Sequence, residues 1–288
     1  MTPKLAQMSL DLEVADRIIA AALQEDLAYG PDLAARATVA PGQLSTAAIR
    51  AHRPGTVAGL DLVARVLTQV ATGEFRVNAL LRDGDRASVG QEILRIDAMT
   101  RDILTAEQTI LNLLTHMSGI ATGTAAWVDA LAGTSTRVRD SRRTLPGLRM
   151  LQKYSVRVGG GVNHRLGLGD RIMIKGNHAV AAGGVVPALR AVRERHPDMW
   201  CEVEVSSLSQ LDEVLAERPE EIKLKNLEPW ATQIAVQRRA KLSPETRLES
   251  AGQLTMELAL AHARCGVDFL SVGALTHSVV PLHLSLDF

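Results

Sequence analysis

Residues 201–225 read CEVEVSSLSQLDEVLAERPEEIKLK. Two short runs with alternating side chains, 201–205 and 221–225, flank a helical pattern over residues 207–217. A strand, a helix and a second strand in this order predict a βαβ unit, in which the two strands lie parallel in one sheet. The stretch decides the fold class because the same order recurs on both sides of it.

The βα repeat extends over residues 136–273. Four further apolar runs have the length of strands, at 136–140, 171–175, 246–250 and 268–273. Helical patterns separate the six runs, near residues 146–158, 184–195, 207–217, 228–240 and 255–265. Six βα repeats predict a parallel sheet, either open or closed into a barrel.

The chain before residue 136 has a different pattern. Periodic apolar residues predict helices over 11–26 and 60–70, and short strand-like runs between residues 44 and 100 predict an antiparallel sheet. A long helical pattern over 105–131 follows, and Thr105 and Gln108 have the spacing of a capping box at its start.

We therefore expect an α/β protein with two domains. Residues 1–115 are predicted to form an α/β sandwich, and residues 116–288 an open α/β barrel of about six βα units. The long helix would connect the two domains, and the last residues would return to the first one.

The composition excludes several classes of protein. Lys and Arg total 32, as do Asp and Glu, so the basic excess typical of a nucleic-acid binder is missing. No apolar stretch has membrane-spanning length, and no signal peptide is visible, so we expect a cytoplasmic protein without membrane or nucleic-acid partners. The two cysteines, Cys201 and Cys265, have no metal-ligand spacing and are predicted to be buried thiols.

Basic side chains gather where the predicted strands end. In parallel α/β folds, ligands bind at the carboxyl ends of the strands. A single arginine there is more often solvated than functional, but a set of five at successive strand ends favours a site. Such a set suits a small molecule with several acidic groups. The predicted binding residues are Arg142, Arg143, His164, Arg165 and Lys175.

Two turns after the fifth and sixth strands contain glycine. Their backbone N–H groups are suited to bind phosphate, although each turn alone is a weak signal. The predicted phosphate-binding residues are Ser250, Ala251, Gly252, Gly273 and Ala274.

Charged residues also alternate inside two neighbouring strands. Glu202 and Glu204 share one face of the third strand, and Lys223 and Lys225 share one face of the fourth. Adjacent strands would bring these groups together as buried ion pairs. The alternative is that both lysines face the helices and extend to solvent.

At these residues the sequence resembles the quinolinate phosphoribosyltransferase family. The resemblance covers nearly the whole chain and rests on the segments 25–32, 104–107, 119–122, 142–149, 153–154, 159–169, 202–205 and 272–278. It implies a sandwich domain, an open barrel and a homodimer whose active sites are shared across the interface. The reaction it implies joins quinolinate to phosphoribosyl pyrophosphate with Mg²⁺, giving nicotinate mononucleotide, carbon dioxide and pyrophosphate.

The resemblance also implies residue roles. Lys175 and Glu204 are the predicted catalytic residues, with Glu204 facing the phosphoribosyl hydroxyls. By matching position, the residues that resemble the groups holding the substrate carboxylates and phosphates are Arg142, His164, Arg165 and Lys175. The full set of predicted substrate-binding residues is Gln108, Arg142, Arg143, His164, Arg165, Lys175 and Lys225. Gly252 and Gly273 lie in the phosphate loops.

The sequence departs from the family pattern at the same site. The family usually has Arg at the position of Gln108, and Asp at the positions of Gly176, Ser206 and Lys225; Ala251 replaces a Ser. Losing three carboxylates weakens a Mg²⁺ site and the stabilisation of a cationic transition state. The metal ligands are therefore not assigned, and we expect weak Mg²⁺-dependent transfer.

Three functions remain open on the sequence. The leading hypothesis is the family's phosphoribosyl transfer. A divergent paralogue would use the same cationic pocket for another reaction on a small acidic substrate, for example through a lysine Schiff base at Lys175 or Lys225. An ion pair with Glu204 would raise the pKa of Lys225 and argues against that lysine. The third hypothesis is a non-catalytic ligand-binding protein.

Overall fold

The computed structural model describes residues 9–288, which form eleven helices and twelve strands. The helices are α1 (Leu12–Leu27), α2 (Leu33–Thr38), α3 (Asp61–Val70), α4 (Thr100–Ala130), α5 (Arg149–Val158), α6 (Gly176–Ala181), α7 (Val185–Arg195), α8 (Leu208–Ala216), α9 (Pro229–Leu242), α10 (Met256–Arg264) and α11 (Ala274–His277). The strands are β1 (Leu44–Ala51), β2 (Gly55–Thr56), β3 (Arg76–Ala79), β4 (Arg86–Ala87), β5 (Glu92–Met99), β6 (Arg137–Arg139), β7 (Ile172–Ile174), β8 (Cys201–Val205), β9 (Glu221–Lys225), β10 (Arg247–Ala251), β11 (Phe269–Ser271) and β12 (Leu284–Asp287).

The first of two compact units contains residues 9–126, 143–160 and 274–288 of the described chain. Its described part has an antiparallel sheet in the order β12-β1-β5-β3. The core is aliphatic, as the low aromatic content requires: Ile49, Ile96 and Leu67 are fully buried between the sheet, α3 and α4. The last strand, β12, lies in this sheet beside β1.

The second unit contains residues 127–142 and 161–273, all of which are described. Its six parallel strands have the order β6-β11-β10-β9-β8-β7, so β6 and β7 form the two edges. Side chains alternate across the sheet: Val203, Ile222 and Leu224 are fully buried on one face, and charged side chains occupy the other. This alternation leaves an inner face that carries most of the chemistry.

The segment after α5 reaches β6 through a parallel bridge between Arg139 and Val162. Val162 N–H donates to Val138 O at 2.8 Å, and Asp140 N–H donates to Val162 O at 3.1 Å. The bridge therefore brings residues 161–165 beside the carboxyl end of β6, where Asp140 begins the following loop.

The predicted fold class is confirmed: the first unit has an antiparallel sheet and the second a parallel α/β region with six strands. All six predicted strands are present, with ends that differ by up to two residues. Because residues 143–160 belong to the first unit, neither compact unit is one continuous segment. The domain boundary at residues 115/116 stays a prediction.

The predicted start of the long helix is wrong. Helix α4 begins at Thr100, directly after β5, so Thr105 and Gln108 lie inside the helix and cap nothing. Thr100 N–H donates to Gln43 O at 2.9 Å, and this bond to a neighbouring loop anchors the first turn. The apolar positions Ile103 and Ala106 continue the buried stripe back to that point, which the shorter sequence window missed.

Candidate active site

Seven charged or titratable residues form what we call the interior charge cluster of the second unit. They lie on the inner face of the parallel sheet and in the segments beside it, and all are less than one-tenth exposed. The members are Arg139, His164, Arg171, Glu202, Glu221, Lys223 and Glu249.

Ion pairs connect the members of this cluster. Lys223 Nζ lies 2.5 Å from Glu249 Oε1 and 3.2 Å from Glu202 Oε1. Arg139 pairs with Glu221 and, at 2.6 Å, with Glu249, while Arg171 lies 3.4 Å from Glu221. Three carboxylates thus face three permanent cations, and this balance offsets the cost of burying each charge.

The pKa values of the cluster follow from this pairing. Burial alone would raise the pKa of Glu202, but Lys223 and then His164 outweigh it and hold that pKa well below its usual range. Burial likewise opposes the lowered pKa of Glu249, which Lys223 also stabilises as a carboxylate. Conversely, burial would lower the pKa of Lys223, and the two carboxylates raise it. The ionised forms of Glu202, Glu249 and Lys223 are therefore the stable forms near neutral pH. Glu221 differs, because burial raises its pKa despite the nearby Arg139.

Both ring nitrogens of His164 are engaged. Nδ1 accepts the backbone N–H of Arg165 at 2.8 Å, so the ring proton is on Nε2, which donates to Glu202 at 2.5 Å. The backbone N–H of His164 donates to Asp140 at 2.7 Å. His164 therefore fixes the backbone at Arg165 through a defined tautomer, in addition to any contact with a ligand.

A second group, which we call the strand-end group, lies where the strands end. It consists of Arg142, Arg165, Lys175, Glu204 and Lys225. Lys225 Nζ lies 2.9 Å from Glu204 Oε1, which also accepts the backbone N–H of Gly176 at 3.4 Å. The Lys225 side chain is 49 % exposed and that of Glu204 is 11 % exposed, so this ion pair lies in contact with solvent.

The cations of the strand-end group perturb one another. Partial burial, opposed by Glu204, lowers the pKa of Lys175, and the nearby Arg165 lowers it further. Burial is also the main cause that lowers the pKa of Arg165, followed by the charge of Arg142. Within the described chain, the Nε atoms of Arg142 and Arg165 are buried without a hydrogen-bond partner. Clustered cations with unused donors are the environment that binds an anion.

The turn after β10 approaches the end of β9 closely. Asn226 N–H donates to Ala251 O at 2.8 Å, and a Cβ atom on Gly252 would lie only 2.5 Å from Asn226 Oδ1. A side chain at position 252 would therefore have to displace the Asn226 side chain. The side chain of Ser250 is buried, so a ligand at this turn would meet backbone N–H groups.

Three predicted site residues belong to the first unit. Gln108 is exposed on α4 and donates to Asn112 at 2.8 Å. The backbone oxygen of Arg143 accepts a hydrogen bond from Thr276 at 2.7 Å. Ala274 is the first residue of α11. Their roles in the site stay predictions.

The predicted ion pairs between β8 and β9 are confirmed in part. Lys223 is buried between Glu202 and Glu249, as expected for an inward-facing pair. The expectation of burial is wrong for Lys225, because it is the last residue of β9 and extends beyond the sheet into solvent. The alternative in which both lysines face the helices is wrong as well.

Sequence reasoning missed Arg139, Arg171, Glu221 and Glu249. Each lies in or directly before a strand and next to one apolar residue, as in Leu248-Glu249. The available signal was that several strands each carry a charged residue at an inner-face position. The partners of these charges come from different strands, so pairing required the sheet order.

The interior charge cluster and the strand-end group both contain carboxylates, the ligands that a divalent metal ion would need. His164, Glu202, Glu221 and Glu249 have ligand atoms within 4.8 Å of one another, but these carboxylates already pair with the buried cations. At the strand ends Glu204 is paired with Lys225. Mg²⁺ prefers oxygen ligands including one or two available carboxylates, so neither set of residues fits it.

Comparison with known proteins identifies the family. The family model for the N-terminal domain of quinolinate phosphoribosyl transferase matches residues 32–118, and that for the C-terminal domain matches residues 120–287. The chain belongs to the quinolinate phosphoribosyltransferase family. This confirms the resemblance seen in the sequence.

Relatives and solved structures agree with this family. A nicotinate-nucleotide pyrophosphorylase (carboxylating) of Mycobacterium leprae is 54 % identical over 96 % of this chain and 98 % of its own length. The Francisella tularensis nicotinate-nucleotide pyrophosphorylase structure has a TM-score of 0.91 at 33 % identity, covering 97 % of both chains. NadC from Streptococcus pyogenes has a TM-score of 0.92 at 35 % identity, covering 98 % of both.

A helix that crosses a membrane needs about 20 consecutive, mostly apolar residues. Among residues 9–288, no helix combines the length and the apolar character that a membrane crossing needs.

Proposed function

We propose that this protein transfers phosphoribose from phosphoribosyl pyrophosphate to quinolinate and releases carbon dioxide. The observation that carries the proposal is the strand-end group: four cations and one carboxylate near a glycine turn, in a chain 54 % identical to a carboxylating pyrophosphorylase. Quinolinate carries two carboxylates and the donor carries phosphates, so both substrates match the charge of this group.

The proposed reaction has two steps, phosphoribosyl transfer and decarboxylation. The pyridine nitrogen forms a bond to C1 of the ribose, while the C1–oxygen bond breaks and pyrophosphate leaves with the electron pair. The carbon–carbon bond to the 2-carboxylate then breaks and carbon dioxide leaves. Its electron pair stays on the ring carbon beside the cationic nitrogen, and a proton from solvent completes nicotinate mononucleotide.

The residues would divide this work by their position. Arg142, Arg165 and Lys175 would bind the carboxylates, with Arg165 supplying a bidentate fork and Lys175 a compact charge. Glu204 would face the ribose hydroxyls, and its negative charge would favour the cationic ribose carbon as the leaving group departs. The backbone N–H groups near Gly252 and Gly273 would bind phosphate.

His164 would act as a positioning residue in this arrangement. Its Nδ1 atom accepts the N–H of Arg165, and its Nε2–H is held by Glu202. The interior charge cluster therefore supports the backbone from which the guanidinium of Arg165 extends. Loss of the ring would displace Arg165 without removing a positive charge from the site.

The test is turnover of quinolinate and phosphoribosyl pyrophosphate at saturating MgCl₂, with nicotinate mononucleotide and pyrophosphate quantified by chromatography. Both products should form in equal amounts and require both substrates. Arg165→Ala should reduce the rate, whereas Arg195→Ala, at an exposed position at the end of α7, should not. Binding of quinolinate without product would instead identify a ligand-binding protein, and decay of quinolinate without pyrophosphate release a different reaction.

We also propose that the protein is a homodimer, with the first domain of one subunit covering the barrel mouth of the other. Family membership supports this arrangement, and zero net charge does not oppose self-association. Light scattering at micromolar concentration should give twice the chain mass of 31.0 kDa. A value of one chain mass would contradict the proposal.

A further inference from the structure

The strand-end group has the wrong charge for a protein-held divalent cation. Of its five members only Glu204 is a carboxylate, and its Oε1 atom already contacts the Lys225 ammonium at 2.9 Å. A second carboxylate near Arg165, that of Asp170, accepts the backbone N–H groups of Leu166 and Gly167. A divalent ion placed here would be repelled by several cations at short range. The same charge surplus favours a polyanion.

Lys225 is placed to meet that polyanion. It is the last residue of β9, and its Cα pairs in register with Ala251, at the turn where Gly252 permits close approach of the backbone. The Lys225 ammonium therefore extends from the end of β9, the strand that pairs with β10 at the predicted phosphate turn. Its side chain is about half exposed, so a ligand can reach it without unfolding the strand.

The ion pair with Glu204 does not prevent such a contact. Exposed ion pairs contribute little net free energy, so the ammonium can exchange part of its contact with one carboxylate for a ligand with several charges. Lysine binds phosphate as a compact point charge and has three donors, so Nζ can contact Glu204 and a phosphate oxygen together. Glu204 then orients the ammonium.

We infer that Lys225 binds the diphosphate group of the phosphoribosyl donor directly, in the role that a protein-held divalent cation would otherwise fill. The inference rests on the proposed function, because that function supplies the diphosphate. It explains why the strand-end group has four cations and only one carboxylate, Glu204, which is already paired with Lys225. It also means that diphosphate binding by this chain does not require Mg²⁺.

The experiment is calorimetric titration of the full-length protein with inorganic pyrophosphate, first in EDTA and then in excess MgCl₂. The native protein should bind in EDTA, and Mg²⁺ should not tighten binding. Lys225→Met should weaken binding in EDTA by at least about tenfold, the size of one lost charge-assisted hydrogen bond. Lys225→Asp should weaken it further and should regain affinity when Mg²⁺ is added.

The matched control is Lys241→Met, which removes an exposed lysine near the end of α9. It should leave pyrophosphate affinity unchanged. Native binding that needs Mg²⁺ would overturn the inference, as would equal affinities of the native protein and Lys225→Met. Equal weakening by both methionine variants would reduce the effect to net charge and would also overturn it. The titration measures only pyrophosphate binding. Failure of phosphoribosyl transfer would appear in the product assay and is therefore distinguishable from failure of this inference.

Discussion

The interior charge cluster and the strand-end group contain the same kinds of residue but differ in balance and exposure. In the interior, three carboxylates meet Arg139, Arg171 and Lys223, and all of these side chains are nearly inaccessible. At the strand ends, four cations meet Glu204, and Lys225 is half exposed. One strand, β9, therefore supplies a buried lysine and a half-exposed lysine two residues apart.

The difference separates stability from binding. Charges in the interior cluster are balanced, because three carboxylates pair with three buried cations. Charges in the strand-end group are unbalanced, because four cations meet one carboxylate and Lys225 is half exposed. Changes in the first group should therefore affect folding, and changes in the second should affect ligands.

The largest expected effect compares Lys223→Met with Lys225→Met. Lys223→Met leaves Glu202 and Glu249 buried without their central cation, and should lower the free energy of unfolding by about 3–5 kcal/mol. Lys225→Met removes the half-exposed partner of the ion pair with Glu204 and should lower the free energy of unfolding by less than about 1 kcal/mol. Urea denaturation followed by circular dichroism measures both. Equal losses would remove the distinction between the two groups.

Acid should weaken the interior cluster in the native protein. Glu202 and Glu249 have lowered pKa values in the folded state, so their stabilisation is complete above the ordinary carboxylate pKa of about 4.3. It is lost as pH falls below that value toward the lowered pKa values. Unfolding free energies measured between pH 7 and pH 3 should therefore decline in the acid range, and less steeply for Lys223→Met.

A smaller effect is expected for Arg165, the member of the strand-end group whose backbone N–H donates to His164. Arg165→Ala should weaken quinolinate binding by about 2 kcal/mol, roughly thirtyfold, because a desolvated charge loses its partner. The backbone contact to His164 is retained in this variant, so the fold should persist. Calorimetry with Arg195→Ala as the control measures the change. Unchanged affinity in Arg165→Ala would place the carboxylate site elsewhere.

The smallest expected effect concerns pH and Lys175. Its lowered pKa means that it loses its proton at a lower pH than an ordinary lysine, whose pKa is about 10.4. Since the protonated form binds an anion, quinolinate affinity should fall by about fivefold as pH rises from neutral toward 10. Lys175→Arg keeps its charge and should flatten this profile. Identical profiles for both proteins would exclude Lys175 from the contact.

Sequence reasoning was most successful where one strand, or two strands consecutive in the chain, carried the signal. The six strands and the Lys225–Glu204 pair followed from periodicity and side-chain alternation. The network around Arg139 and Glu221 did not, because its members come from strands far apart in the chain and meet only through the order β6-β11-β10-β9-β8-β7. The tautomer of His164 could not be predicted from the sequence either, because it depends on a backbone N–H and on a buried carboxylate.

The central claim is that this chain forms nicotinate mononucleotide and carbon dioxide at the strand-end group. The most direct measurement uses quinolinate labelled with ¹³C in the 2-carboxylate, together with phosphoribosyl pyrophosphate and the native protein. We predict labelled carbon dioxide in equal amount to nicotinate mononucleotide, with both strongly reduced in Arg165→Ala. Absence of labelled carbon dioxide from a protein that binds quinolinate would contradict the account.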